Sequence, residues 1–272
     1  MKRFLIPLAG SLLGATSAHA EWAINMPVGV TDMSAEIFDL HMMVLGVCTI
    51  AAALTFGAMI YAMVNFRKSK GAEAETWSHN TKAEIIWTVV PTLILIAMAV
   101  PAAQTLVKIE DNRDTEMTIK ITGYQWKWHY EYVGSDVGFY SSLAQASNAA
   151  RRKNADVDVF EVENYLLDVD RPLVVPVDTR IRYLITSNDV LHAWWVPDFA
   201  IKKDAIPGFI NEGWFQINEL GTYRGQCAEL CGKDHGFMPV VVEVLSKEDF
   251  AKWLETQQSG PLAAAALAGG TG

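Results

Sequence analysis

Two long stretches without a charged residue constrain the fold of this chain more than any other feature. Residues 40–66 and 85–107 contain no Asp, Glu, Lys or Arg. Each stretch exceeds the ~20 residues that a helix needs to cross a bilayer core of about 30 Å. Two membrane-spanning helices are therefore predicted. Pro91 and Pro101 lie in the second stretch and are interpreted as kinks, because membrane helices tolerate proline.

The charges beside these stretches predict the orientation of the chain. Residues 21–39 contain acids and no Lys or Arg, whereas the connecting residues 67–84 contain four Lys or Arg residues. Their basic residues are Arg67, Lys68, Lys70 and Lys82. Cytoplasmic loops carry an excess of Lys and Arg, so residues 67–84 are expected to be cytoplasmic. Both termini and everything after Val107 then lie outside.

Residues 1–20 have the pattern of a secretory signal peptide. The chain begins with Met1-Lys2-Arg3, continues with largely apolar residues and reaches Ala18-His19-Ala20 before Glu21. A basic start, a short apolar run and a small-residue cleavage site are typical of a signal that is removed on export. This agrees independently with the orientation from the basic loop. We expect a two-pass protein of a bacterial inner membrane with a periplasmic domain.

Residues 108–258 are predicted to form that exported domain, and it is expected to be all-β. From Glu116 onward, short runs of β-branched and aromatic residues are separated by turn residues. The candidate strands are 118–132, 160–167, 173–176, 179–187, 214–218, 221–226 and 240–245. Seven or more strands in about 130 residues favour a Greek-key sandwich or barrel. A capping-box-like Ser246–Asp249 predicts a short helix through about Gln257.

Two segments of the exported part do not read as strands. Residues 134–158 are rich in small and polar residues and include the basic cluster Arg151-Arg152-Lys153. We interpret them as an inserted surface loop with room for a helical turn. Residues 259–272 are rich in Ala and Gly and are expected to be a mobile tail.

The segment from Gly225 to Met238 carries the clearest chemical signal. It contains Cys227, Cys231, His235 and Met238 in the order Cys-x3-Cys-x3-His-x2-Met. Sulfur ligands combined with imidazole suit copper, and a weak axial Met is typical of copper electron-transfer sites. A mononuclear blue-copper site needs only one Cys, whereas two neighbouring thiolates can bridge two ions. The segment therefore predicts a dinuclear copper centre.

Such a centre needs a second imidazole, and His192 is the best candidate among the remaining histidines. It follows a strand-like run and lies among apolar and aromatic residues. A satisfied core histidine is the ordinary alternative at such a position. A Cys227–Cys231 disulfide is the alternative for the thiols, because the exported compartment is oxidising. A disulfide would leave His235 and Met238 at ligand spacing by coincidence, so the metal interpretation is preferred.

The chain resembles subunit II of the haem-copper cytochrome c oxidases over nearly its whole mature length. Besides Gly225–Met238, the resemblance rests on four segments. They are Gly123-Tyr124-Gln125-Trp126-Lys127-Trp128-His129-Tyr130, Val190-Leu191-His192-Ala193-Trp194, Lys203-Asp204-Ala205-Ile206-Pro207-Gly208 and Glu84-Ile85-Ile86-Trp87-Thr88-Val89-Val90-Pro91. The resemblance implies a cupredoxin-like exported domain that holds a dicopper centre called CuA.

The resemblance also implies the ligands. Cys227 and Cys231 would bridge both copper ions, and His192 and His235 would each bind one. Met238 would be a weak ligand to one ion, and the backbone carbonyl of Glu229 to the other. The carboxylate of Glu229 would help to hold magnesium at the boundary with subunit I, in keeping with the preference of that ion for carboxylate oxygen. A solvated Glu229 side chain is the alternative.

Two further residues receive roles by resemblance. Trp126 would be exposed and would accept the electron from cytochrome c. Trp128 lies two residues further along an expected strand, hence on the same face, so the pattern alone does not decide which of the two is exposed. Glu84 would serve proton uptake at the cytoplasmic end of the second helix, with an ordinary interfacial charge as the alternative.

The resemblance thus implies an electron-accepting subunit of a proton-pumping oxidase. Its partners would be subunit I with its haem, subunit III, cytochrome c and the membrane, and no nucleic acid is expected. The rivals are a quinol-oxidase subunit, a copper carrier or sensor, and the copper domain of a nitrous oxide reductase. The complete ligand set argues against a quinol-oxidase subunit, and the strand-rich setting argues against a copper carrier or sensor. The two spans argue against a nitrous oxide reductase.

Overall fold

The computed structural model describes residues 25–152 and 157–259 of the 272-residue chain. The predicted signal peptide and all but the first residue of the predicted tail lie outside these ranges. The described chain begins with a hairpin of two long helices and continues into a β-domain with a short C-terminal helix.

The helices α1 (Asp32–Asn65) and α2 (Thr81–Ile109) contain the two predicted spans. Both are long and apolar enough to cross a membrane. They begin eight and four residues before the charge-free stretches because their first turns are capped by polar groups. Thr31 accepts a hydrogen bond from the Ser34 N–H at 2.9 Å, while Ser34 Oγ accepts from the Thr31 N–H at 3.0 Å. Asn80 caps α2, which continues through both prolines.

Ten strands form the β-domain. They are β1 (Met117–Tyr124), β2 (Lys127–Tyr132), β3 (Gly138–Ser141), β4 (Leu173–Pro176), β5 (Ile181–Ser187), β6 (His192–Val196), β7 (Ile201–Ala205), β8 (Asn211–Phe215), β9 (Gly221–Cys227) and β10 (Pro239–Leu245). One sheet has the order β3-β2-β1-β5-β8 and the other β4-β10-β9-β6-β7. The β1–β5 and β4–β10 pairs are parallel, and all others are antiparallel. Short helices α3 (Gln145–Ala150) and α4 (Lys247–Ser259) complete the domain.

The apolar core lies between the two sheets. On β5, buried residues alternate with partly exposed ones, as expected of a strand with one face in the core. Trp128 and Tyr130 from the first sheet and Trp194 from the second are fully buried in one cluster. The predicted all-β domain behind a two-helix anchor is confirmed.

Several predicted strands need correction. The expected strand 160–167 is wrong, because Val159–Glu161 forms a 3-10 turn and Asn164 and Leu166 have φ of 49° and 63°. Extended backbone requires negative φ, so these residues cannot lie in a strand. The expected strand 118–132 is two strands, since Gln125 and Trp126 form the turn between β1 and β2.

Three strands are absent from the sequence-based prediction. The segment 134–158 contains β3 as well as the helical turn α3, so it is only partly a surface loop. The strands β6 and β7 were missed as well. The sequence of β7, Ile-Lys-Lys-Asp-Ala, has only one β-branched residue and no aromatic residue, so it does not have the composition by which strands are recognised.

The hairpin is joined to the β-domain by hydrogen bonds next to the helix ends. The Val30 N–H donates to the Asp198 carbonyl at 2.9 Å, and the Asn218 N–H donates to the Val30 carbonyl at 3.0 Å. On the other helix, Trp214 Nε1 donates to the Lys108 carbonyl at 3.1 Å. These contacts fix the end of the hairpin against β8 and the loop before β7.

Candidate metal centre

The pairing of β6 with β9 brings the predicted ligands together. The two strands are antiparallel, with Trp194 opposite Cys227. They approach so closely that a Cβ on Gly225 would lie 1.8 Å from the Trp195 carbonyl oxygen, so only glycine fits there. His192, at the start of β6, therefore lies beside Cys227, at the end of β9.

The two cysteines are unpaired, buried and close together. Their Sγ atoms lie 3.8 Å apart, and each side chain is less than 5% exposed. A metal–thiolate bond is about 2.3 Å long in zinc sites, so sulfurs up to about 4.6 Å apart can bind the same ion. The separation of Cys227 and Cys231 meets this condition, and the disulfide alternative is not formed.

Each thiol has an imidazole of its own. His192 Nδ1 lies 3.8 Å from Cys227 Sγ, and His235 Nδ1 lies 3.5 Å from Cys231 Sγ. With a metal–nitrogen bond of about 2.0 Å, a sulfur and a nitrogen that share an ion can lie up to about 4.3 Å apart. Both pairs satisfy this limit. His192 and both thiols also form a metal-binding group whose ligand atoms all lie within 4.8 Å of one another.

The two weak ligands implied by the resemblance lie beside these four residues. The Glu229 carbonyl oxygen is 3.4 Å from Cys227 Sγ. Met238 is 1% exposed, and its carbonyl accepts a hydrogen bond from the Cys227 N–H at 3.0 Å. Glu229 is an exposed residue, so its carboxylate is available to an ion or a partner at the protein surface.

Asp189 is a functional residue that the sequence-based prediction missed. Its Oδ1 is 2.9 Å from His192 Nε2, which leaves Nδ1 directed at Cys227. Its carboxylate also accepts from the N–H groups of Gln125 and Val190 at 2.8 and 2.7 Å. The acid three positions before His192 was the available signal, because a metal-bound histidine usually gives its other ring nitrogen to a carboxylate.

The electrostatics of the site favour one negative charge on the thiol pair. Burial alone would raise the pKa of Cys227, but hydrogen bonding to His192 and to backbone groups lowers it below the usual range. Burial and the neighbouring Cys227 charge raise the pKa of Cys231. Burial opposes protonation of His192, yet Cys227 and Asp189 raise its pKa. Two thiolates here require positive charge between them, which is what a metal supplies.

Gln125 and Trp126 contact the cysteine loop directly. Gln125 Nε2 and Trp126 Nε1 both donate to the Cys231 carbonyl, at 2.9 and 3.1 Å. Trp126 is partly exposed, whereas Trp128 is fully buried. The expectation that both tryptophans share one strand face was wrong, because Trp126 lies in the turn before β2. The structure therefore makes Trp126 the accessible member of the pair.

The inserted segment holds the same loop from another side. The Arg151 guanidinium carbon lies 4.3 Å from the centre of the Phe237 ring, and its NH1 is 3.3 Å from Asp234 Oδ1. Asp234 and Phe237 lie on either side of His235 in the sequence, so Arg151 holds the loop around this histidine. Arg151 is separated from Asp234 by 83 residues in the sequence, so no local pattern indicated this contact.

Glu84 lies away from this centre, in the first turn of α2. Its Oε1 accepts from the Asn80 N–H at 3.2 Å, which completes the polar cap of the helix. The β-domain follows the opposite end of α2, so Glu84 and the cysteine–histidine cluster belong to opposite ends of the molecule.

Comparison with known proteins identifies the family. The profile described as cytochrome c oxidase subunit II, periplasmic domain, matches residues 117–245, and that of the transmembrane domain matches residues 19–105. A probable cytochrome c oxidase subunit 2 of Rickettsia prowazekii is 38% identical over 233 residues, covering 86% of this chain and 72% of the relative. Cytochrome c oxidase subunit 2 of Cereibacter sphaeroides is 32% identical over 272 residues, covering 93% and 90%.

Among solved structures, the chain is similar to the periplasmic domain of subunit II of cytochrome oxidase from Bradyrhizobium japonicum. The identity is 42%, the TM-score is 0.46, and the match covers 53% of this chain and 95% of that one. Together with the two apolar helices and the cysteine–histidine cluster, the sequence matches indicate a membrane-anchored member of a copper-binding family. The chain belongs to the cytochrome c oxidase subunit II family and is a subunit of an oxidoreductase complex.

Proposed function

We propose that this chain is the electron-accepting subunit of a respiratory terminal oxidase. It takes electrons from cytochrome c at a dinuclear copper (CuA) centre and delivers them to haem in subunit I, where oxygen is reduced to water and protons are pumped. One observation carries the proposal: two buried thiols 3.8 Å apart, each with its own imidazole within 3.8 Å. A mononuclear blue-copper site uses one Cys and would not need this duplicated set.

The donor set suits two copper ions. Cys227 and Cys231 would bridge them, and His192 and His235 would each bind one, with Met238 and the Glu229 carbonyl as weak ligands. When bound, the copper pair accepts and releases one electron at a time. No bond in a substrate is made or broken at this site, so the role of the chain is electron transfer.

The protein contributes rigidity. Hydrogen bonds hold the Cys227 N–H and the Cys231 carbonyl, and Asp189 orients His192. Ligands that barely move on a change of oxidation state keep the reorganisation energy of electron transfer low. Support for every ligand by a fixed neighbour is the general requirement for such preorganisation.

Trp126 is the residue at which we place electron acceptance from cytochrome c. It combines partial exposure with a 3.1 Å hydrogen bond to the Cys231 carbonyl, so a donor that touches the indole is one contact away from the copper ligands. We place subunit I, and with it subunit III, against the membrane hairpin, and the Glu229 carboxylate with its magnesium at the boundary with subunit I.

The orientation completes the proposal. Residues 67–84 lie in the cytoplasm, and the β-domain and both termini lie in the periplasm of a bacterium, after removal of residues 1–20. The basic residues of the connecting loop support this orientation. Glu84 then faces the cytoplasm, as proton uptake requires.

The proposed function is tested by mixing the copper-loaded full-length chain with reduced cytochrome c in a stopped-flow instrument. We expect Trp126→Phe to slow copper reduction roughly tenfold, which is a barrier increase of about 1.4 kcal/mol, without loss of copper. Trp77→Phe is the matched control, because Trp77 is 64% exposed in the connecting loop. Equal rates for both variants would contradict electron acceptance at Trp126, and no reduction of the unmodified chain would contradict the function.

A further inference from the structure

A cavity of about 360 Å³ lies where the helix hairpin meets the β-domain. Its walls come from both helix ends, from β7 and β8, and from the residues at the start of β5. This volume is within the range of about 300–1,000 Å³ that small-molecule sites occupy. The cavity shares no residue with the proposed copper site.

Two polar side chains line this cavity. The Arg180 Nε is buried without a hydrogen-bond partner among the residues that the structure describes, and Tyr183 is only 5% exposed. It lies over Gly213, where an added Cβ would be 2.2 Å from the hydroxyl oxygen. Burial of a polar group without a hydrogen bond is costly, so the Arg180 Nε is free to bind a ligand or an ordered water.

The charges around the cavity favour an anion. The cavity lining has a net charge of +1, because it contains three basic residues and two acidic ones. These are Arg180, Lys202, Lys203, Asp32 and Glu110. Arg180 is fixed in position, because its guanidinium carbon lies 3.9 Å from the centre of the Trp214 ring and its NH2 donates to the Asp111 carbonyl. Lys203 lies 3.4 Å from Glu110 and is 27% exposed.

The remaining wall is apolar and belongs to the membrane helices. Met33 and Ile37 come from the first turns of α1, and Ile109 ends α2. These residues lie where both helices leave the lipid on the side of the β-domain. An occupant therefore meets cations and a hydroxyl at one end and continues into the membrane at the other.

We propose that this cavity binds the headgroup of an anionic phospholipid. The phosphate lies between Arg180, Lys203 and the Tyr183 hydroxyl, and the acyl chains follow Ile37 and Ile109 into the leaflet on the β-domain side. The lipid fastens the β-domain to the membrane surface beside the hairpin. This site rests on the membrane anchorage of the chain and is independent of copper.

Native mass spectrometry of the full-length chain in detergent tests the proposal. The probe is dioleoyl phosphatidylglycerol, with dioleoyl phosphatidylcholine and inorganic phosphate as separate arms. We expect one tightly retained phosphatidylglycerol, weaker phosphatidylcholine and no displacement by phosphate. Tyr183→Phe should weaken retention roughly tenfold through loss of one hydrogen bond to a charged group. Its fold should persist, because the change removes only the hydroxyl and keeps the aromatic ring that packs in the core.

The double variant Arg180→Gln/Lys203→Gln should abolish retention. Arg182→Gln is the control: it removes one positive charge two residues from Arg180, but Arg182 contacts Glu212 and does not line the cavity. Equal retention in Tyr183→Phe, in the double variant and in the control would overturn the site. Displacement of the lipid by inorganic phosphate would overturn the lipid in favour of a free anion.

Discussion

At the scale of single residues, neighbouring side chains hold the cysteines and histidines of the candidate metal centre in place. The spacing of Cys227, Cys231 and His235 within one loop already implied a metal, and the structure brings their ligand atoms within bonding reach of shared ions. Asp189 and Arg151 are different, because their roles depend on side-chain contacts that only the folded chain creates. A spacing rule identifies groups that share an ion, but not the groups that orient them.

Asp189 provides the first prediction at this scale. Asp189→Asn keeps the size of the side chain but removes the charge that faces His192 Nε2. Loss of such a carboxylate partner typically costs 10–100-fold in metal affinity, so we expect copper affinity to fall by roughly that factor. Competitive copper titration with a chelator measures it. Asp136→Asn, at an exposed position, is the control, and equal affinities in both variants would contradict the orienting role.

Gly123 provides a steric prediction. A Cβ at this position would lie 2.8 Å from His192 Cδ2, so Gly123→Ala must displace the imidazole. We expect a loss of about 1–3 kcal/mol in the free energy of unfolding, as for other overpacked sites, together with weaker copper binding. Gly236→Ala is the control in the copper loop, because no atom lies within 4 Å of the point that its methyl group would occupy. Chemical denaturation and copper titration of both variants decide the point.

At the scale of elements, the errors of the sequence-based prediction have a common physical origin. The strand β7 can have a charged sequence because hydrogen bonds to β6 stabilise it. Its own side chains do not indicate a strand. Conversely, residues 160–167 are rich in strand formers, but two positive φ angles interrupt them. Tertiary pairing overrides local preference in β7, and backbone conformation overrides it in residues 160–167. The long apolar helices were predictable because each segment must by itself be long and apolar enough to cross the bilayer. A strand, in contrast, depends on a partner elsewhere in the sequence.

The inserted segment yields a prediction at the element scale. Arg151 links α3 to the loop around His235 through Asp234 and Phe237, so Arg151→Ala should free that part of the loop. We expect about 1 kcal/mol of lost stability and a shifted optical spectrum and midpoint potential of the bound copper. Arg152→Ala, its exposed neighbour, is the control. An unchanged potential in Arg151→Ala would show that the insertion only covers the surface.

At the scale of the whole molecule, the fold separates two tasks. The hairpin anchors the chain, and the β-domain holds a rigid set of sulfur and nitrogen donors away from the lipid. The overall architecture followed from charge-free stretches, turn spacing and one ligand motif. The cavity between the hairpin and the β-domain could not be predicted from the sequence. It exists only where helix ends and strands from distant parts of the sequence meet.

The most direct test of the central claim is electron paramagnetic resonance of the copper-loaded full-length chain after partial oxidation. The account predicts hyperfine splitting from one electron shared by two copper nuclei, and loss of that pattern in His192→Ala. A four-line spectrum from a single copper, or no bound copper together with a Cys227–Cys231 disulfide, would contradict the dinuclear centre and with it the proposed electron-accepting role.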